Sequence, residues 1–229
     1  MFLVGGPSYS GTTFLAHLLN QGKIFCWDEP DFDKPNQIHR GIPFLKSVFP
    51  DKNLPSQPER PLVYEESLKF IKNCEALLSP FRIGIKACNE DFVGYAEICR
   101  KMKYPVICII RDIRDALSSQ LPYWDSEKNI NERYRLIWSN IKSCDYYFRY
   151  EDLVTKTALI TEKISYFLSC SLKAPERWDP QSIHPIMFKL KRHNRLKDGV
   201  ICKNRVGIWR TCGKNFSDET HRTAKMMGY

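Results

Sequence analysis

An apolar run followed at once by a glycine-spaced turn opens the chain. Residues 2–4 are Phe-Leu-Val, and residues 5–13 are Gly-Gly-Pro-Ser-Tyr-Ser-Gly-Thr-Thr. The short apolar run predicts a buried parallel strand, and the apolar spacing over residues 13–19 predicts a helix that ends near Gly22. A strand, a glycine-rich turn and a helix in this order are typical of a loop that binds phosphate.

The chemistry of this turn favours a nucleotide phosphate but disfavours ordinary triphosphate hydrolysis. Glycine permits left-handed backbone angles and close approach of a ligand, and the N–H groups at a helix start face an anion. Thr12, however, occupies the position at which a nucleoside triphosphatase has lysine. A glycine-rich turn without a ligand is the alternative for this segment alone. The residues that we expect to bind phosphate are Tyr9, Ser10, Gly11, Thr12 and Thr13.

The composition allows one domain and favours an anionic partner. The chain has 229 residues, 43% of them hydrophobic, so we expect a single domain over residues 1–229. Lys and Arg number 35 against 26 Asp and Glu, and the net charge of +9 suits a nucleotide, an acidic glycan, a nucleic acid or a membrane surface. A solvated basic surface explains the charge equally well. Because no nucleic-acid-binding motif accompanies it, we expect no nucleic-acid partner.

Cysteine usage and hydropathy bear on the cellular compartment. Nine cysteines are scattered without a CxxC pair, and Cys99 and Cys108 lie in apolar patterns typical of buried thiols. A reducing compartment is the simpler interpretation. No stretch is long enough to span a membrane, and the first strand begins at residue 2. We therefore expect a cytoplasmic protein without a membrane partner, unless the chain was trimmed from a longer, anchored one.

Strand and helix patterns alternate along the chain, which predicts an α/β fold. The alternation favours a P-loop-like architecture of three layers, with helices on both sides of a mostly parallel sheet. Ligands of such sheets lie beyond the carboxyl ends of the strands, so the first loop, Glu29, Lys86 and Arg111 are expected along one rim. Residues 33–61 are expected to be irregular. The patterns place strands at residues 2–4, 23–27, 81–85, 105–110 and 146–150, and further helices at 65–78, 90–103, 131–143, 157–168 and 218–227.

A second motif, taken with the first, resembles a known family. Residues 111–119 are Arg-Asp-Ile-Arg-Asp-Ala-Leu-Ser-Ser and follow an apolar strand. Together with Ser-Gly-Thr-Thr at residues 10–13, this segment resembles the sulfotransferases that use 3′-phosphoadenosine-5′-phosphosulfate (PAPS). The resemblance implies that Arg111 and Ser119, eight residues apart, bind the 3′-phosphate of the donor.

Arg111 can be interpreted in two ways. A planar guanidinium at the end of a central strand suits a phosphate with nearly two negative charges. The structural alternative is a salt bridge to Asp112 or Asp115.

Further similarities cover nearly all of the chain. Residues 83–86 resemble the strand whose lysine faces the sulfuryl group. Residues 149–153 resemble an Arg-Tyr-Glu-Asp-Leu segment of the family, and residues 205–210 resemble the late Gly-x-Trp loop that folds over the nucleotide. The resemblance assigns a catalytic role to Lys86 and donor-binding roles to Tyr150, Arg205 and Gly207.

The general base is less clearly indicated. Cytosolic members of the family commonly have histidine just after the catalytic lysine, whereas this chain has Ala87 and Cys88. Other branches place a glutamate after the second strand, so Glu29 is our first choice. Asp28, Asp31 and His39 are competitors, and an ordinary acidic loop or a solvated histidine explains these residues as well.

The resemblance implies sulfuryl transfer from PAPS to a small-molecule or glycan acceptor, without a metal. Tyr9 departs from the pattern, because related loops usually carry Arg or Lys at that position. We expect Lys86, Arg40 or another cation to compensate, or the protein to be slow or inactive. The competing hypotheses are a P-loop nucleotide or sugar kinase, a catalytically impaired homologue and, from the net charge alone, a nucleic-acid binder.

The acceptor is not indicated by any motif. We expect three loops, at residues 33–61, 120–130 and 171–204, to shape its site. The last of them carries a cluster of basic residues that suits an acidic acceptor such as a glycan, although a basic lid explains the cluster equally well.

Overall fold

Parallel strands form the centre of the structure, a computed structural model that describes residues 1–30, 41–119, 125–174 and 206–229. All five strands that the sequence predicts are present in these ranges, with ends shifted by up to three residues. They form one sheet in the order second, third, first, fourth, fifth. In chain order they are β1 (Phe2–Gly6), β2 (Ile24–Asp28), β3 (Arg82–Cys88), β4 (Val106–Ile110) and β5 (Tyr146–Arg149).

The helices connect the strands and cover both faces of the sheet. Within the described ranges they are α1 (Thr12–Leu19), α2 (Ile42–Val48), α3 (Tyr64–Leu77), α4 (Asn89–Lys101), α5 (Ile113–Ser119), α6 (Glu127–Ser139), α7 (Tyr150–Thr155), α8 (Thr157–Phe167) and α9 (Asp218–Met226). Short 3₁₀ turns cover Ile141–Ser143 and Ile208–Arg210. The sequence predicted most of these helices to within a few residues.

Several local features differ from the sequence-based expectation, among them α7, which begins at Tyr150 where a strand was predicted. The region expected to be irregular contains α2, because Pro43 suits a helix start and the apolar Ile42, Phe44 and Leu45 are buried. Helix α6 begins four residues earlier than expected, since the Ser126 hydroxyl accepts a hydrogen bond from the Asn129 N–H and caps it.

Alternating strand residues separate the core into two layers. Leu3 and Ile85 face a cluster that also contains buried residues of α3, α4, α6 and α9. Phe2 and Val4 face a second cluster that contains residues of α1, α7 and α8. Because successive strand side chains point to opposite faces, one sheet buries both helical layers. The three-layer α/β architecture is thus confirmed.

Strand order and register bring the predicted rim together. The chain leaves β1 for one side of the sheet and later crosses to β4 on the other side, so the loop after β1 lies at the switch point where ligands bind in such sheets. One detail corrects the expectation that Lys86 ends its strand. Strand β3 continues to Cys88, because Ala87 and Cys88 pair with Gly5 and Gly6.

Candidate functional site

The end of β1 and the loop that follows it adopt backbone angles that glycine permits. Gly6 has a φ of 155° and Gly11 a φ of 95°. A Cβ at Gly6 would lie 2.1 Å from the carbonyl oxygen of Ile109, and one at Gly11 would lie 2.4 Å from Cδ2 of Tyr150. Both positions therefore require glycine. Helix α1 begins directly after Gly11, so its first N–H groups are available to an anion.

We expect Gly11→Ala to lower the free energy of unfolding by more than Gly22→Ala does. Gly22 also has a left-handed φ, of 57°, but a Cβ there meets no atom within 4 Å. The control thus carries only the backbone strain, about 1–2 kcal/mol, whereas Gly11→Ala adds the clash with Tyr150. Urea denaturation of both variants measures the difference. Equal urea midpoints for the two variants would contradict the expected difference in stability.

Asn89 fixes the tip of the loop from the neighbouring strand end. The Ser8 N–H donates to Oδ1 of Asn89 at 2.8 Å, and Nδ2 of Asn89 donates to the Ser8 hydroxyl at 2.7 Å. Asn89 has a φ of 54°, a left-handed angle that asparagine tolerates better than most residues. Sequence analysis missed this residue, because its only signal is its position just after β3.

Thr12 and Cys88 meet where the loop passes β3. The Thr12 hydroxyl lies 3.3 Å from Sγ of Cys88. Burial raises the pKa of the Cys88 thiol to about 12, so this side chain is a neutral thiol at physiological pH. Cys88 therefore contacts the Thr12 hydroxyl as a neutral thiol.

Arg111 lies at the end of β4, with its guanidinium directed at the first loop. The residue is only 4% exposed, and Nη1 donates to the carbonyl oxygen of Tyr9 at 3.3 Å. The two carboxylates proposed as alternative partners have other contacts: Asp112 pairs with Arg114 at 2.7 Å, and Asp115 accepts backbone N–H groups. Arg111 thus lies beside the first loop, and its role in binding a 3′-phosphate stays a prediction.

Tyr150 contacts both predicted phosphate-binding elements. Its ring lies against Gly11, and the Cζ atom of Arg111 lies 4.5 Å from the ring centroid. A guanidinium over an aromatic face is a favourable cation–π contact. Because Tyr150 is buried, its contribution in this structure is to hold Gly11 and Arg111 in place.

Lys86 lies at the centre of a charged cluster on the same rim. Its side chain is 5% exposed, and Nζ lies 2.9 Å from Oδ1 of Asp28 and 2.6 Å from Oε1 of Glu29. The Glu29 N–H also donates to the Lys86 carbonyl at 2.8 Å, with Glu29 at a left-handed φ of 47°. Burial alone would lower the pKa of Lys86, but the negative charges of Asp28 and Glu29 outweigh it and raise this pKa well above its ordinary value. Lys86 is therefore cationic at any physiological pH.

Of the remaining predicted residues, some are described by the structure and the others are not. Thr13 is half-buried in the first turn of α1, and Gly207, at a φ of 74°, precedes the 3₁₀ turn at Ile208–Arg210. Arg205, Asp31, His39 and Arg40 lie outside the described residues.

Two buried hydroxyls of the rim have no hydrogen-bond partner in the described part of the chain. These are the Oγ atoms of Ser10, in the first loop, and Ser119, at the end of α5. An unsatisfied buried hydroxyl is costly, and a bound ligand oxygen is one way to satisfy it. The two lie at the predicted 5′-phosphosulfate and 3′-phosphate ends, so the residues present fit a nucleotide with phosphate groups at both ends.

The described ranges contain neither a cluster of metal-ligating side chains nor a membrane-spanning helix. No group of three or more His, Cys, Asp or Glu side chains in these ranges could hold a metal ion. None of the helices described is long and apolar enough to cross a membrane.

Comparison with known proteins identifies the fold. No family model and no curated protein matches the chain. Among solved structures, a sulfotransferase domain from the curacin biosynthetic pathway aligns with a TM-score of 0.61 at 16% identity, covering 100% of this chain and 97% of that one. A sulfotransferase domain from the Synechococcus PCC 7002 olefin synthase aligns with a TM-score of 0.64 at 13% identity, covering 100% and 94%. The resemblance predicted from the two motifs is thus confirmed at the level of architecture: the chain has the fold of sulfotransferase domains.

Proposed function

We propose that the chain transfers a sulfuryl group from PAPS to a hydroxyl or amine of a small-molecule or glycan acceptor. One observation carries the proposal. The glycine-rich loop after β1, which has no lysine, lies in hydrogen-bond contact with Arg111, the residue that begins the segment ending at Ser119. A triphosphatase needs a lysine in its loop, whereas a donor with phosphates at both ends needs a second cationic receptor.

The donor would be held at its two ends by different chemistry. The backbone N–H groups at the start of α1, with the hydroxyls of Ser10, Thr12 and Thr13, suit the 5′-phosphosulfate. Arg111 and Ser119 suit the 3′-phosphate. When bound, PAPS supplies the sulfuryl group, and adenosine 3′,5′-bisphosphate is the product that remains.

Lys86 and Glu29 are the proposed catalytic pair. Lys86, permanently cationic, would stabilise negative charge on the sulfuryl oxygens or on the oxygen that leaves the sulfur. Glu29 would accept the proton of the acceptor hydroxyl. The two side chains contact each other at 2.6 Å, so Lys86 must exchange a carboxylate partner for the donor when the site is occupied. Positioning and charge stabilisation then account for the catalysis.

A catalytically impaired homologue that retains donor binding is the second candidate. Two observations favour it: Tyr9 is uncharged where a basic residue is usual, and Lys86 is engaged by two carboxylates. Binding of the bisphosphate without any sulfated product would support this candidate. A kinase is the less favoured possibility, and a Mg²⁺-dependent phosphotransfer assay with labelled ATP tests it directly.

Nucleotide selectivity is the first experimental test. We expect the protein to bind adenosine 3′,5′-bisphosphate about 100-fold more tightly than AMP, because charge-assisted hydrogen bonds to the 3′-phosphate are worth about 1.5–3 kcal/mol each. Arg111→Gln should remove most of this preference while AMP binding changes little. Titration calorimetry of both nucleotides with the unaltered protein and with Arg111→Gln measures the four affinities and thus the preference of each protein. Equal affinities for the two nucleotides in the unaltered protein would refute the proposed donor.

Transfer itself is tested with ³⁵S-labelled PAPS. Suitable acceptor probes are 2-naphthol, a primary aliphatic amine and a desulfated glycosaminoglycan oligosaccharide, which together cover phenol, amine and glycan acceptors. Formation of a labelled product is the expected result. Tight bisphosphate binding with no product from any acceptor class, water included, would favour the impaired homologue.

A further inference from the structure

A buried carboxylate on α5 contacts a segment far along the chain. Asp115 is 1% exposed, and its two oxygens accept hydrogen bonds from the Gly207 N–H at 2.6 Å and the Trp209 N–H at 3.1 Å. A carboxylate removed from water is costly unless it is well hydrogen-bonded, and these two bonds compensate it. Asp115 therefore fixes the backbone on both sides of Ile208, more than 90 residues away in sequence.

Arg114 reinforces the same contact from the next position in the helix. Its Nε and Nη2 atoms donate to the two carboxylate oxygens of Asp112, at 2.9 and 2.7 Å. Its Cζ atom lies 3.9 Å from the centroid of the Trp209 ring, a close cation–π contact. The bidentate pairing with Asp112 holds the guanidinium plane in one orientation against Trp209.

The far end of α5 contacts the continuation of this segment. The Ser118 hydroxyl lies 3.2 Å from Sγ of Cys212, and Nζ of Lys214 donates to the Leu117 carbonyl at 2.9 Å. Residues 207–214, which we call the strap, therefore lie along the whole length of α5.

Helix α5 joins the strap to the predicted receptor for the 3′-phosphate. It begins two residues after Arg111 and ends at Ser119. A movement of the helix that brings these two side chains onto a ligand also moves the groups that hold the strap. We propose that Asp115 is a positioning residue that couples placement of the strap to occupation of the 3′-phosphate site. The proposal rests on the proposed function for the identity of the nucleotide.

The anchoring step is tested without any nucleotide. Hydrogen exchange of the Gly207 and Trp209 amides is compared in the unaltered protein, Asp115→Ala, Asp115→Asn and Glu127→Ala. Glu127 is the matched control, because its carboxylate accepts the Ser217 N–H and thus holds another distant segment. We expect about 10-fold or greater acceleration in Asp115→Ala, from the loss of charge-assisted bonds, a smaller one in Asp115→Asn, and none in Glu127→Ala. Unchanged exchange in both Asp115 variants would overturn the anchor.

The coupling step is tested by the ratio of two affinities. We expect Asp115→Ala to weaken binding of adenosine 3′,5′-bisphosphate by about 10-fold or more and binding of AMP by less than about 3-fold, with Asp115→Asn between Asp115→Ala and the unaltered protein. A general loss of structure would weaken the binding of both nucleotides by the same factor. If Glu127→Ala has any effect on binding, it should likewise be equal for the two nucleotides. An unchanged ratio despite faster exchange would overturn the coupling. If the unaltered protein shows no preference for the bisphosphate, the proposed function fails and so does the coupling, whereas the exchange experiment still decides the anchor.

Discussion

Replacing Lys86 with alanine is expected to lower the rate of sulfuryl transfer by about 10³-fold, since a single preorganised charge donor is worth 10²–10³ in turnover and two carboxylates lose their cation as well. Affinity for adenosine 3′,5′-bisphosphate should fall far less, because Arg111 and Ser119 are unaltered. Single-turnover transfer from ³⁵S-labelled PAPS to the best acceptor probe, or to water, measures the rate, and calorimetry measures the affinity.

The unpaired carboxylates need a control of their own. In Lys86→Ala, Asp28 and Glu29 would repel an anionic donor and destabilise the fold, because removing one member of a buried ion pair leaves uncompensated charge. The triple variant Lys86→Ala/Asp28→Asn/Glu29→Gln removes that charge. We expect it to recover donor affinity and thermal stability but not turnover. Unchanged single-turnover transfer in Lys86→Ala would show that Lys86 has no catalytic role.

Glu29→Gln is expected to lower turnover by about 10²–10⁴, the range for loss of a positioned general base. A carboxylate base acts in its deprotonated form, and an ordinary carboxyl group has a pKa of about 4, so the activity of the unaltered protein should fall as the pH approaches that value. Lys86 cannot cause that decline, because its raised pKa keeps it cationic throughout. The variant should lose this acidic limb, which a profile of kcat/KM against pH between about pH 3.5 and pH 9 would reveal.

Asp28→Asn is the matched comparison for Glu29→Gln. Both carboxylates contact Nζ of Lys86, at 2.9 and 2.6 Å, so both variants remove one negative charge from the lysine. Only the variant that removes the base should flatten the pH profile. A flat profile for Asp28→Asn together with an unaltered one for Glu29→Gln would assign the base to Asp28. If both profiles keep their acidic limb, His39→Asn is the next variant to compare.

The architecture could be predicted because it follows from hydrophobic pattern and chain order. Short apolar runs separated by helical patterns allow few arrangements other than a parallel sheet, and ligands of that sheet lie at its carboxyl edge. The sequence alone therefore predicted that Glu29, Lys86 and Arg111 lie along one rim of the sheet. Their presence together is a property of topology rather than of local sequence.

Contacts that depend on register and on single backbone angles could not be predicted in the same way. That Lys86 lies inside its strand, beside Asp28, follows from the pairing of β2 with β3, which no motif encodes. Asn89 ties the first loop through a left-handed angle that only the folded chain requires. Asp115, assigned before only as a possible partner for Arg111, instead binds a segment more than 90 residues away.

The contact of Tyr150 with both Gly11 and Arg111 has a consequence for which molecules the site can select. One rigid ring touches Gly11 in the first loop and the guanidinium of Arg111, so the spacing between the two proposed anion-binding ends is fixed before a ligand arrives. Such a site would select ligands by the distance between their two anionic groups. A nucleotide with its second phosphate on the 2′ rather than the 3′ oxygen carries the same charge, yet presents it at a different separation. The ring, which has no charge itself, would then distinguish two isomers that the cationic groups alone could not.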